Sequence, residues 1–140
     1  MARGLWAWLR GLFRRRPPAP GDGAGVLEHV NAARLAHGLP PLGPSVELAG
    51  AAAAHARRMH AAGELNHRLP DEPGLWARLA DAGYRAGACG EVIAAGPTTA
   101  AEVVAVWLED AAHASVLLGQ YTDLGAARVA DYWCADLAAH

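Results

Sequence analysis

Ala88-Cys89-Gly90-Glu91-Val92-Ile93-Ala94-Ala95-Gly96 is a short apolar run with one carboxylate at its middle, closed by a turn at Gly96-Pro97. The run reads as a strand. An acid inside a strand is costly to bury alone, so Glu91 needs partners or a task. The nearest candidates are His67 upstream, in Gly63-Glu64-Leu65-Asn66-His67, and His113 downstream. Past the turn, Thr99-Ala100-Ala101-Glu102 fits a capping box and opens a helix that carries Val103, Val104 and Trp107 inward. The helical pattern continues through Glu109 and Asp110 to His113. On such a helix Asp110 and His113 share a face, and Glu109 is a four-residue neighbour of His113. Either acid would orient the imidazole and fix its tautomer. With His67 and Glu91 added, two imidazoles and two carboxylates are on hand to hold a divalent cation such as zinc or to do acid–base work.

The flanking sequence supplies scaffold. Val26, Leu27, Val30, Ala33 and Leu35 suit a helix that Gly38 stops. A second helix starts near Ser45, with Leu48, Ala52, His55 and Met59 in one stripe, and ends at Gly63. His55 on that stripe reads as a packed histidine with one backbone or water partner. Residues 66–73 are irregular, and a short helix through Leu75, Trp76, Leu79 and Ala80 stops at Gly83. Two β-like runs, Leu124 to Val129 and Tyr132 to Leu137, flank a turn at Ala130-Asp131 and close the chain.

A chain of 140 residues fits one domain with a short appendage. Its net charge of −2 argues against general nucleic-acid binding, because no broad excess of cation faces a phosphate backbone. Cys89 and Cys134 permit a single intramolecular pairing. A disulfide would imply an oxidising compartment, whereas two reduced thiols would not. No CxxC or Cys/His zinc spacing occurs.

The first sixteen residues differ in kind. On a helix, Leu5, Trp8, Leu9, Leu12 and Phe13 share one face with Trp6 at its edge, and Arg3, Arg10 and Arg14 lie opposite. That composition predicts an amphipathic helix over 1–16 lying on a membrane surface. Arg10 interrupts the apolar core that a cleaved signal peptide needs, so cleavage is disfavoured and either side of a membrane stays open. Residues 17–24, beginning Pro17-Pro18-Ala19-Pro20, form a linker, and the domain spans 25–140.

The order of landmarks adds a resemblance. Asn31-x-x-Arg34 with Gly38 and Leu42 leads to Met59-x-x-x-Gly63-x-Leu65-x-His67 and Arg78-x-x-x-Ala82-Gly83-Tyr84. Gly90-Glu91-x-Ile93-Ala94-x-Gly96, Val103-Val104-x-x-Trp107-x(5)-His113, Leu117-Leu118 and Tyr132-Trp133 complete the series. The chain thereby resembles the CAP superfamily of cysteine-rich secretory, antigen 5 and pathogenesis-related 1 proteins, in its short bacterial SCP-like form. The resemblance implies an α+β fold, an α-β-α sandwich with a small, mainly antiparallel sheet between helical layers. It also implies a shallow cleft lined by His67, Glu91 and His113, with Asp110 as the second acid. Some members bind zinc through the two histidines, and others bind sterols or fatty acids in a separate apolar region.

Five positions depart from the family pattern: Val92 replaces Asn, Ala114 replaces Arg, Val116 replaces Asn, and Ala111-Ala112 replaces Pro-Gly. Hydrogen bonds supporting the second histidine are expected to go with them. The resulting expectation is a binding module for a lipid, another small ligand or a surface partner. The alternatives are a hydrolase with metal on His67 and His113 (Glu91 and Asp110 as further ligands) and Glu91 as general base, or a structural domain with a vestigial site. No convincing nucleophile is present.

Overall fold

A computed structural model describes residues 22–140. The strand expected around Glu91 forms as β2 (Ala88–Ala95) and lies along one side of a four-stranded sheet. It pairs antiparallel with β4 (Tyr132–Ala139), which pairs antiparallel with β3 (Asp123–Val129). The two-residue β1 (Gly43–Pro44) adds parallel to β3, giving the order β1-β3-β4-β2. Ala130 takes φ +54° in the tight turn between β3 and β4.

Among the described residues, five helices cover the two faces of the sheet. On one face Val92, Ala94, Leu124, Ala126, Trp133, Ala135 and Leu137 pack with residues of α1 (Gly23–Ala36), α4 (Ala100–Glu109) and α5 (Ala111–Leu117). On the other, Ile93, Ala127, Val129, Cys134 and Ala138 meet α2 (Val46–Ala62) and α3 (Leu75–Asp81). The period-two alternation of the strands sorts these side chains by face. Two buried tryptophans fix the layers through their indole N–H groups, Trp107 donating to the Ile93 carbonyl at 3.0 Å and Trp133 to that of Pro97 at 2.8 Å. This is the α-β-α sandwich that the landmarks implied.

Helix ends follow the local chemistry. Ser45 Oγ accepts from Leu48 N, and Gly63 closes α2 at φ +63°. Thr99 Oγ1 accepts from Glu102 N, while Glu102 reaches back to the N–H and hydroxyl of Thr98. The continuous helix expected from Thr99 to His113 does not form. Asp110 leaves helical geometry (φ −103°, ψ 125°), and its carboxylate caps α5 by accepting from His113 N at 3.1 Å. An aspartate competes well for that role, because its short side chain bonds backbone N–H groups two or three residues on.

Gly23 and Ala24, assigned by sequence to the linker, already belong to α1. A Cβ at Gly23 would run into the Ala126 carbonyl oxygen, so this turn of α1 presses directly on β3. The amphipathic helix expected over 1–16 and the linker up to residue 21 lie outside the described residues. Among the described residues, no helix is long and apolar enough to cross a membrane.

The single disulfide that the composition permits is not made, and both thiols are free. Cys89 stands opposite Ala138, and Cys134 opposite Ile93. Four ladder positions separate the cysteines, about 13 Å along the sheet. Bridged cysteines need Cα atoms within about 7 Å.

Candidate functional site

Glu91 projects from β2 toward α2 and α3 and is only 3% exposed. It is therefore enclosed by its neighbours rather than lining an open cleft. Arg78 of α3, itself 8% exposed, grips the carboxylate with both ends of its fork: Nη1 donates to Oε2 at 2.9 Å and Nη2 to Oε1 at 3.0 Å. Nη2 also donates to the His67 carbonyl at 3.1 Å, tying the loop to the helix. His67 Nδ1 donates to Glu91 Oε1 at 3.0 Å, and the imidazole stays 56% exposed. A carboxylate on Nδ1 fixes the tautomer and leaves Nε2 with its lone pair facing outward.

The loop carrying His67 is held from beneath by His55. The two nitrogens of that buried ring each have an acceptor at 2.8 Å, Glu72 Oε2 on Nδ1 and the Asn66 carbonyl on Nε2. Glu72 Oε1 accepts from Leu69 N, and the Glu72 carbonyl accepts from Arg68 Nε. His55 has the backbone partner that its place on the stripe predicts, and the buried Glu72 in addition.

Across the ladder from Glu91 stands Asp136, fully buried and in register with it. Cys134, on the same face of β4, donates its thiol to Glu91 Oε2 at 3.4 Å, with Asp136 Oδ1 at 3.6 Å. Burial would raise the Glu91 carboxyl. Hydrogen bonds from His67, Asp136 and Arg78, with the charge of Arg78, outweigh it and hold Glu91 well below the usual carboxylate range. Asp136 goes the other way, pushed far up by burial and then by the Glu91 charge. Burial and the two acids likewise push the Cys134 thiol up. The strand pair thus contains two buried acids pushed in opposite directions, Glu91 down and Asp136 up.

His113 sits in the first turn of α5, next to Asp110 as that helix's N-cap rather than on one face of a continuous helix with it. Its Nδ1 lies 2.8 Å from Asp110 Oδ2 but off the hydrogen-bond direction, so this buried ring nitrogen has no partner among the described residues. The structure forms two separate acid–imidazole pairs, His67 with Glu91 and Asp110 with His113. Among the described residues, no N···O approach within 4.0 Å joins one pair to the other.

The donor set fits a three-ligand metal centre poorly. Both oxygens of Glu91 are engaged by Arg78, and His67, Glu91 and His113 do not gather within the 4.8 Å that three ligand atoms around one ion require. Among the described residues, only Glu91, Cys134 and Asp136 meet that distance, and the Arg78 cation lies against them.

The departures from the family pattern have a packing outcome. Val92 lies in the core with Trp107 and Leu117, and Val116 packs at the margin of the same cluster. A Cβ at Gly90 would meet Val116 Cγ1 at 3.0 Å and the Tyr121 hydroxyl at 2.8 Å, which explains a glycine beside Glu91. Sequence reasoning assigned Arg78, Glu72 and Asp136 no place in the site. Asp136 carries the same signal as Glu91, an acid inside a β-like run. Glu72 lies in an irregular stretch and carries none.

A family model described as the cysteine-rich secretory protein family, CAP, matches residues 27–135. The chain belongs to this family. Among solved structures, an extracellular SCP-domain protein of Bacillus anthracis superposes with TM-score 0.83 at 25% identity, over 86% of this chain and 41% of its own. An outer surface protein of Borrelia burgdorferi gives TM-score 0.74 at 16% identity, covering 82% and 90% of the two chains. A cysteine-rich secretory protein of Staphylococcus aureus gives 0.73 at 19%, covering 85% and 38%. The chain therefore spans well under half of two of these three proteins. No curated protein matches the chain.

Proposed function

We propose that this CAP domain is a binding module that recognises a small ligand, a lipid or a surface partner through the imidazoles of His67 and His113, with residues 1–16 tethering it to a membrane surface. The observation that carries this reading is the state of Glu91. All of its hydrogen-bonding capacity is turned toward Arg78, Cys134 and His67 Nδ1, so it orients an imidazole. A carboxylate saturated in this way and held well below its usual range is a poor general base, which weighs against a hydrolase built on Glu91.

A divalent ion on this surface would be held through His67 and His113, and it would supply Lewis acidity to a bound ligand. Two imidazoles are fewer than the three protein ligands typical of catalytic zinc, so binding is expected to be weak. Calorimetric titration with zinc tests the arrangement. The expected result is micromolar binding that disappears in both His67→Ala and His113→Ala. Absence of heat in the parent protein would remove the metal site.

A further inference from the structure

A groove of about 410 Å³ opens where the first turn of α1 meets β1, the start of α2 and β3, away from His67, Glu91 and His113. Leu27, Pro44, Val46 and Ala49 line it, and among the described residues on its wall none is charged. The one polar side chain there, Ser45, is already committed: its hydroxyl accepts from Leu48 N and donates to Glu47 Oε2. A sugar, an anion or a metal ion would find no free side-chain partner on this wall. Val46 nevertheless stands 82% exposed, more than any other large apolar side chain among the described residues. The occupant that suits such a groove is apolar.

The chain itself supplies one. Gly23 and Ala24 lie on the groove wall, so residues 1–21 start from its rim. The five residues Pro17-Pro18-Ala19-Pro20-Gly21 reach about 15 Å when extended as polyproline. Beyond them come Phe13, Leu12, Leu9, Trp8 and Leu5, which share one face of a helix. A tether this short sets a local concentration on the order of millimolar, so even a weak apolar contact is populated. Charge points the same way. Glu47 and Asp123 border the groove along Pro44, Ser45 and Val46, and residues 1–21 carry five arginines and no acid. Long arginine stems reach around a helix flank to such carboxylates. The same acids repel an anionic bilayer, which favours the segment over the membrane as the groove's occupant.

We propose that this groove receives the apolar side of residues 1–16 of the same chain, so that groove and bilayer compete for one face. The inference rests on reading residues 1–16 as an amphipathic helix, and docking does not require that helix to bind a membrane.

The chain has a single phenylalanine, so NMR contacts from the Phe13 ring are unambiguous. In the full chain, nuclear Overhauser effects are expected from that ring to the methyl groups of Leu27, Val46 or Ala49, within one molecule and independent of protein concentration. The disrupting variant combines Ala24→Asn with Val46→Asn, both at exposed positions in the first turn of their helices and both neutral. It should remove these contacts while leaving the His67 resonances in place. If the groove holds nine chains in ten, the variant should also bind phosphatidylserine–phosphatidylcholine vesicles about tenfold more tightly than the parent. No contact from Phe13 in the parent would overturn the docking, as would contacts seen only between differently labelled molecules or contacts unchanged in the double variant. Equal vesicle affinity of parent and variant would overturn the competition. Failure of both to bind vesicles would overturn the tether, with docking still decided by the Phe13 contacts.

Discussion

Glu91 and Asp136 show how two identical functional groups on neighbouring strands acquire opposite states. Glu91 faces a guanidinium, an imidazole N–H and a thiol, and stays ionised. Asp136 is fully buried beside Cys134, and burial with the Glu91 charge outweighs Arg78 and pushes its carboxyl up. The two acids bound stability from opposite sides. The depressed Glu91 contributes stability that is present above its ordinary value, near 4.3, and is lost as pH falls toward its folded value. The raised Asp136 contributes stability that is complete below its ordinary value, near 3.9, and is lost as pH rises toward its folded value, at roughly 1.4 kcal/mol per pH unit. Asp136→Asn removes the second effect and keeps a donor toward Glu91. Urea denaturation should find the variant more stable than the parent at about pH 8, with the gap closing toward about pH 4. A difference that stays constant with pH would mean Asp136 is already ionised in the folded protein. At this scale the sequence showed that Glu91 needed partners and offered His67 and His113, of which only His67 meets it among the described residues. It could not show Arg78, because its thirteen-residue distance from Glu91 is spanned only once α3 packs beside β2.

Elements were more legible than contacts. The stripe Leu48, Ala52, His55, Met59 is fully buried, and glycines close the helices where a left-handed residue is needed, as at Gly63 and Gly83. The Asp110 break was not legible, because Asp110 suits both a helix surface and a cap, and only packing chooses between them. The tightest joint between elements is α2 on β3. A Cβ at Gly125 would collide with the backbone of Leu48 and Ala49, so helix and strand touch with no side chain between them. Gly125→Ala must push α2 outward, and with it His55 and the loop that bears His67. A loss of about 3 kcal/mol in chemical denaturation is expected. A variant as stable as the parent would show that the joint is looser than described.

At the scale of the whole molecule, the sandwich is that of the CAP family, whose model matches residues 27–135. The proposed tether rests on the composition of residues 1–16, in which apolar and aromatic residues alternate with Arg3, Arg10 and Arg14. Removing Met1 to Arg16 should abolish co-sedimentation with anionic vesicles while the domain keeps its fold, and equal sedimentation of both forms would defeat the tether. The family was legible from the order of its landmarks, whereas ligand chemistry was not. A landmark series reports which backbone positions are kept, and binding depends on which donors are left unsatisfied once neighbours have packed.

The distance between Cys89 and Cys134 carries a last consequence. Closure of this domain consumes no oxidant and releases no electrons, so its assembly runs alike in glutathione-rich and thiol-poor surroundings. Its two sulfur atoms are held apart by the ladder itself, and folding is decoupled from the redox poise of wherever the chain is made.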